Sequence, residues 1–166
     1  MPREVERILE SIRVNAGNAA YESVTRAGGE VDVRAVLAGL ENTYVAGMVA
    51  RVMKPCGYRC IPESFIRRAK SIYTEAESFE DFLSRLNETR IGGGKLHVKD
   101  GKLIGIYDQC YCSLAPRIKD LSPLYCHCSE GWYEKLFSSV LGKPVVARKL
   151  RTILDSSDEC VFEISY

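Results

Sequence analysis

Histidine is almost missing from this chain: there are two in 166 residues. A histidine-rich metal site or a Cys–His nucleophilic pair has little to draw on. A surplus of one charge is missing too, since 23 Lys and Arg stand against 22 Asp and Glu. Affinity for nucleic acid needs clustered cations that neutralise phosphates. The densest cluster, Arg67, Arg68 and Lys70, reads as a solvated helix face, so no nucleic-acid partner is expected. No apolar run approaches the roughly 20 residues that cross a bilayer. Met1-Pro-Arg-Glu-Val-Glu-Arg7 is charged and lacks a signal core. The sequence therefore predicts no membrane partner and a cytoplasmic location, where thiols stay reduced. Repeats and low-complexity linkers are also absent.

Cysteine is what the chain has in excess. Six of seven come in tight pairs: Cys56-Gly-Tyr-Arg-Cys60, Cys110-Tyr-Cys112 and Cys126-His-Cys128. A chain of this length buries about two-thirds of its unfolded surface and needs neither metal nor disulfide merely to fold. An odd count also fits reduced thiols better than a complete disulfide framework.

Hydrophobic periodicity divides the chain near residue 91. Before it, apolar residues recur at helical spacing. A helix is predicted over 3–27, ended by Gly28-Gly29, and another over 32–53, ended by Pro55. With the Gly-Gly-Glu turn they form an antiparallel hairpin. The small stretch Ala16-Gly17-x-Ala19-Ala20 suits close approach of another helix, and a homodimer through this hairpin is a candidate assembly. Further helices are expected over 62–75 and 79–89, with Ser78 as N-cap of the last.

After Gly92-Gly93-Gly94, read as a flexible lead-in, strands are predicted over 95–99 and 102–107. Asp100-Gly101 gives a strong two-residue hairpin signal pairing Val98 with Leu103. A short helix over 130–141, capped by Ser129 and closed by Gly142, precedes strands over 144–154 and 160–166. The fold class is α+β: N-terminal helices (1–90) packed on an antiparallel sheet with one inserted helix (91–166), together one compact domain.

Cys-x-Cys in extended backbone puts both side chains on one face. Cys-x-x-x-Cys does so on a helix, although Gly57 and the flanking prolines equally suit an irregular knuckle. Six thiols exceed the four that a tetrahedral zinc takes. Four ligands with two supporting thiols, an iron–sulfur cluster, a redox pair, or buried structural thiols all satisfy the pattern. Cys128, next to a helix start, is placed where the helix dipole favours a thiolate. Tyr107, Tyr125 and Trp132 flank the cysteines and are candidate walls of a pocket for a small apolar ligand. Cys160 alternates with Phe162 and Ile164 as a core residue.

Three segments, Cys126-His-Cys128-Ser-Glu-Gly131-Trp132, Leu141-Gly142-Lys-Pro-Val145 and Asp158-Glu-Cys160-Val-Phe162-Glu-Ile164, resemble the 4-vinyl reductase domain family. The likeness covers roughly residues 95–166, and the whole chain is similar to uncharacterised prokaryotic proteins that carry this domain. The resemblance implies helices on an antiparallel sheet, binding of small, often apolar molecules, and metal at Cys/His residues. Cys128, Cys160, Gly131 and Gly142 match family positions, whereas Thr152 stands where the family usually carries another cysteine.

The expectation is a small-molecule-binding or sensory domain with a cysteine-rich metal site, and whether it is also an enzyme is left open. Zinc is the first choice and an iron–sulfur cluster the second. Cys110, Cys112, Cys126 and Cys128 are the leading ligands, and Cys56 and Cys60 complete or replace a pair. One alternative is a thiol enzyme or redox protein using Cys128. The other is a structural or interaction protein with buried thiols.

Overall fold

The structure, a computed structural model, describes residues 1–26, 31–44, 46–112 and 114–166. The turn expected at Gly28-Gly29-Glu30 lies outside them. Seven α-helices and a four-stranded antiparallel sheet make up the regular structure among the described residues, an α+β fold.

The first predicted helix is two: α1 (Arg3–Ala16) and α2 (Asn18–Thr25). Gly17 separates them with φ +90°, a conformation that glycine adopts without steric cost and that no helix continues through. The small-residue stretch is therefore a break, not one continuous face. The second predicted helix is likewise divided into α3 (Val33–Thr43) and α4 (Ala46–Cys60). Asp32 caps α3 by accepting the Ala35 N–H at 2.8 Å. Pro55 does not stop α4. It lies inside the helix and removes only the hydrogen bond to Arg51, whose exposed position lets water serve that carbonyl.

Helices α5 (Glu63–Glu75) and α6 (Phe79–Glu88) fall where expected, with Ser78 accepting the Asp81 N–H. Strands β1 (His97–Lys99) and β2 (Lys102–Tyr107) pair in the predicted register, Val98 with Leu103. Asp100 (φ +51°) and Gly101 (φ +73°) both take the left-handed conformation that such a hairpin demands. Helix α7 (His127–Leu141) starts three residues earlier than expected, because the turn 123–126 winds directly into it. Its end at Gly142 (φ +67°) is as expected. Strand β3 (Val146–Arg151) is shorter than predicted, and β4 (Cys160–Ser165) closes the sheet in the order β1-β2-β4-β3.

Two apolar clusters form the interior, and their membership cuts across the sequence boundary at residue 91. One joins α5, α6 and α7 to the sheet through Phe82, Leu86, Tyr133, Phe137 and Phe162. The other joins α1–α4 to the segment 114–125 through Ile8, Ile12, Leu37, Leu40 and Met53. The apolar stripes of α1 and α3 are thus buried within the chain. Each large side chain fully buried contributes roughly 1.5–3 kcal/mol. Among the described residues no helix is long and apolar enough to cross a membrane.

Candidate functional site

The seam between the clusters is bridged by α4 and α7, and glycine makes their crossing unusually close. A β-carbon at Gly57 would overlap the carbonyl oxygen of Cys128, and one at Gly131 would overlap the carbonyl oxygen of Lys54. Cys60 lies three residues after Gly57, and Cys128 three before Gly131. Backbone contact at the crossing therefore brings the Cys60 and Cys128 thiols to the same edge of the cavity, near enough for each to shift the other's ionisation.

A cavity of about 360 Å³ opens beside this crossing, and all seven cysteines border it. Met53 and Ile8 come from the helical cluster, and Tyr107, Trp132 and Cys160 from the sheet cluster. Tyr125 completes the aromatic wall, and exposed Cys60, Phe65 and Tyr111 mark its solvent side. Arg7 also borders it and bears electrostatically on both Cys56 and Cys60.

The three cysteine pairs fare differently. Cys56 and Cys60 are neighbours one helical turn apart, but Cys56 Sγ faces the carbonyls of Arg7 and Val52, each at 3.8 Å. Cys110 and Cys112 lie in irregular chain beyond β2, and Cys112 Sγ donates to Tyr125 Oη at 3.8 Å. Cys126-His-Cys128 is not extended. It enters α7, where residues two apart point to opposite sides of the axis. Cys126 consequently meets Thr152, while Cys128 meets Cys60. Cys160, buried as expected, is also cavity wall, its Sγ accepting the Ile153 N–H at 3.3 Å. Among the described residues no three His, Cys, Asp or Glu side chains stand together as a metal-holding group.

The charge sits elsewhere than the helix-start argument placed it. Burial pushes Cys56 up to about 11 and Cys126 up to about 12. Cys128 is raised as well, chiefly because it donates its S–H to Cys60, and burial adds to this. Cys60 is lowered to about 6 by accepting that hydrogen bond, with Arg7 assisting against the cost of burial. Cys60 holds the negative charge because the Cys128 thiol and the Arg7 guanidinium both stabilise it, and Cys128 keeps the proton.

Two carboxylates on α7 that sequence reasoning passed over hold the site's frame. Glu130 and Glu134 are buried and accept the outward N–H groups of β3, Lys149 at 2.8 Å and Ala147 at 3.0 Å. Four residues of helix advance about 6 Å and two of strand about 6.7 Å, so the two spacings match. Lys54 of α4 pairs with Glu134 at 2.6 Å and Glu130 at 3.5 Å, and Tyr58 donates to Glu134 at 2.6 Å. His127 binds Glu130 at 2.9 Å. Burial opposes ionisation of Glu130, but His127, the Lys149 N–H and Lys54 together hold its carboxyl below the usual range. The signal was present as Glu130-x-x-x-Glu134, which places both carboxylates on one helix face.

The three glycines at 92–94 are not a flexible lead-in. All have positive φ, a β-carbon on Gly93 would overlap Tyr107 and the Ile106 carbonyl, and Gly92 O accepts from Tyr133 Oη at 2.9 Å. They press the chain against the aromatic stack of Tyr107 on Tyr133, whose ring centroids are 5.4 Å apart.

Fold and site together define an α+β domain with a thiol-lined cavity between its helical and sheet clusters. The chain belongs to DUF6144, a family of unknown function, whose profile matches residues 10–166. No curated protein matches it.

Proposed function

We propose that the protein binds a small, largely apolar molecule in the cavity, with the thiols as its chemically distinctive wall. The observation that supports this reading is that one cavity gathers all seven cysteines with Met53, Tyr107, Tyr125 and Trp132. A cavity of this size, mostly apolar with a few polar groups, suits a small organic ligand. Kinship with the 4-vinyl reductase domain, on the residues between 126 and 164, and a reducing cytoplasmic setting belong to the same proposal.

Trp132 is the sole tryptophan and borders the cavity, so its fluorescence reports occupancy. Titration with 1-anilinonaphthalene-8-sulfonate is expected to give saturable energy transfer from Trp132 at one site per chain. Ala115→Phe, which fills cavity space, is expected to abolish it. Dye that does not saturate, or that binds the folded variant as well as the wild type, would refute the reading.

A second reading is a soft metal, zinc or an iron–sulfur cluster, favoured by six paired cysteines bordering one cavity. Tetrahedral zinc needs four donors. Cys60 and Cys128 would anchor it, and Cys56 and Cys112 would have to turn from their present partners. Metal analysis of protein purified without chelator is expected to show about one equivalent per chain under this reading, and a metal-free preparation that takes up none argues against it.

A further inference from the structure

Each cysteine outside the α4–α7 crossing is engaged by something other than a second thiol. Cys56 faces two backbone carbonyls, Cys112 a tyrosine hydroxyl, Cys126 Thr152, and Cys160 a backbone N–H. Cys110 is held by the Cys112 backbone. Cys60 and Cys128 are the pair that the crossing itself brings together: Cys60 lies one helical turn beyond Gly57, which rests on the Cys128 carbonyl, and both thiols border the cavity. They come from different helices 68 positions apart in sequence, yet the glycine-lined crossing brings those helices into backbone contact beside them. Cys60 is exposed, whereas Cys128 is only partly accessible. That asymmetry suits a nucleophile that meets an external reagent and a second thiol that resolves the product.

We infer that Cys60 and Cys128 form a redox couple that reacts with low-molecular-weight disulfides and closes to an α4–α7 cross-link. Cys60 thiolate attacks one sulfur of the disulfide RSSR, forming a Cys60–SR mixed disulfide and releasing RS⁻. The released thiolate takes the proton from Cys128. Cys128 sulfur then attacks Cys60 sulfur, the S–SR bond breaks, and a second RS⁻ leaves and is protonated from water. The net change is two protein thiols oxidised to one disulfide and one RSSR reduced to two RSH. The order of roles differs from the alternative reading of the sequence, in which Cys128 is the reactive thiol. The couple goes beyond ligand binding and does not depend on what occupies the cavity.

The test uses the full chain, reduced and dialysed against a chelator so that no metal masks a thiol. Excess oxidised glutathione is added and the products are mapped by peptide mass spectrometry. The expected first product is a Cys60–Cys128 cross-link, with two glutathiones released per chain. Cys128→Ser is expected to stop at one glutathione on Cys60, and Cys60→Ser to slow modification of Cys128 at least tenfold. A first cross-link between other cysteines, or stable glutathionylation of Cys128 in the wild type, overturns the inference. So does a folded Cys128→Ser protein that gathers no glutathione on Cys60. The wild-type map decides the matter even if a variant fails to fold.

Discussion

At Cys60 a shared proton, a nearby guanidinium and partial burial act on one sulfur, and the first two prevail. Its thiolate is present above about pH 6 and is lost as pH falls through that value. The alkylation rate of Cys60 by iodoacetamide is expected to follow that midpoint. At pH 7 it holds about 90-fold more thiolate than a thiol of pKa 9, offset by about 20-fold lower nucleophilicity, for a net gain of about fourfold. Cys128→Ala removes the donor and is expected to move the alkylation midpoint up by a pH unit or more, as a pH–rate series with mass mapping would show. Glu134 is the other residue on which much converges: Lys54, Tyr58 and the Ala147 N–H all bind its carboxylate. Glu134→Ala removes the nearest counter-charge of a mostly buried ammonium and leaves the Ala147 N–H and the Tyr58 hydroxyl without their acceptor. The expected loss is about 3 kcal/mol, read from urea denaturation.

Between elements, the decisive contact is the α4–α7 crossing. In an isolated helix Gly→Ala stabilises by about 1 kcal/mol. At Gly57 or Gly131 the added methyl meets backbone, which cannot rotate away as a side chain can, so the sign reverses. Gly57→Ala and Gly131→Ala are each expected to destabilise by about 1–3 kcal/mol. Each should also return Cys60 toward ordinary thiol reactivity by parting it from Cys128, and unchanged stability together with unchanged Cys60 reactivity would refute the role given to the crossing. The α7–β3 contact carries a pH dependence of its own. The folded Glu130 carboxyl lies below its unfolded value, so its contribution is present above about pH 4.3 and is lost as pH falls through the folded value. Glu130→Gln is expected to flatten that acid limb of the stability curve. At this scale the sequence was read well where the cause is local. Ser78 as a cap, Asp100-Gly101 as a turn and Gly142 as a helix end depend on a few adjacent residues. Pro55 does not end its helix because packing outweighs the loss of one hydrogen bond facing solvent. The α7 start is not legible from local sequence, because Cys126 and His127 have no strong preference of their own.

Across the whole molecule, two apolar clusters meet along a seam that is incompletely filled, and the residues left facing the gap are thiols and aromatic rings. A ligand there touches both clusters, so binding is expected to raise the thermal midpoint of the whole chain by mass action. For a saturating dye the shift should vanish in Ala115→Phe, measured by differential scanning calorimetry. Closing the Cys60–Cys128 bond would tie the same two halves together at the solvent side of the cavity.

Periodicity, capping residues and turn chemistry settled within the sequence that this is an α+β chain, with helices before an antiparallel sheet and three cysteine pairs near its aromatic residues. These are effects of neighbours three or four positions apart. Which thiol meets which was decided only by tertiary structure. Adjacent cysteines in Cys126-His-Cys128 diverge because the segment is helical. Cys60 and Cys128, far apart in the chain, converge because Gly57 and Gly131 let two backbones touch. The ionised sulfur was likewise out of reach of sequence alone. The Cys128 thiol on α7 and the Arg7 guanidinium on α1 set its charge, and neither is a property of the segment around it.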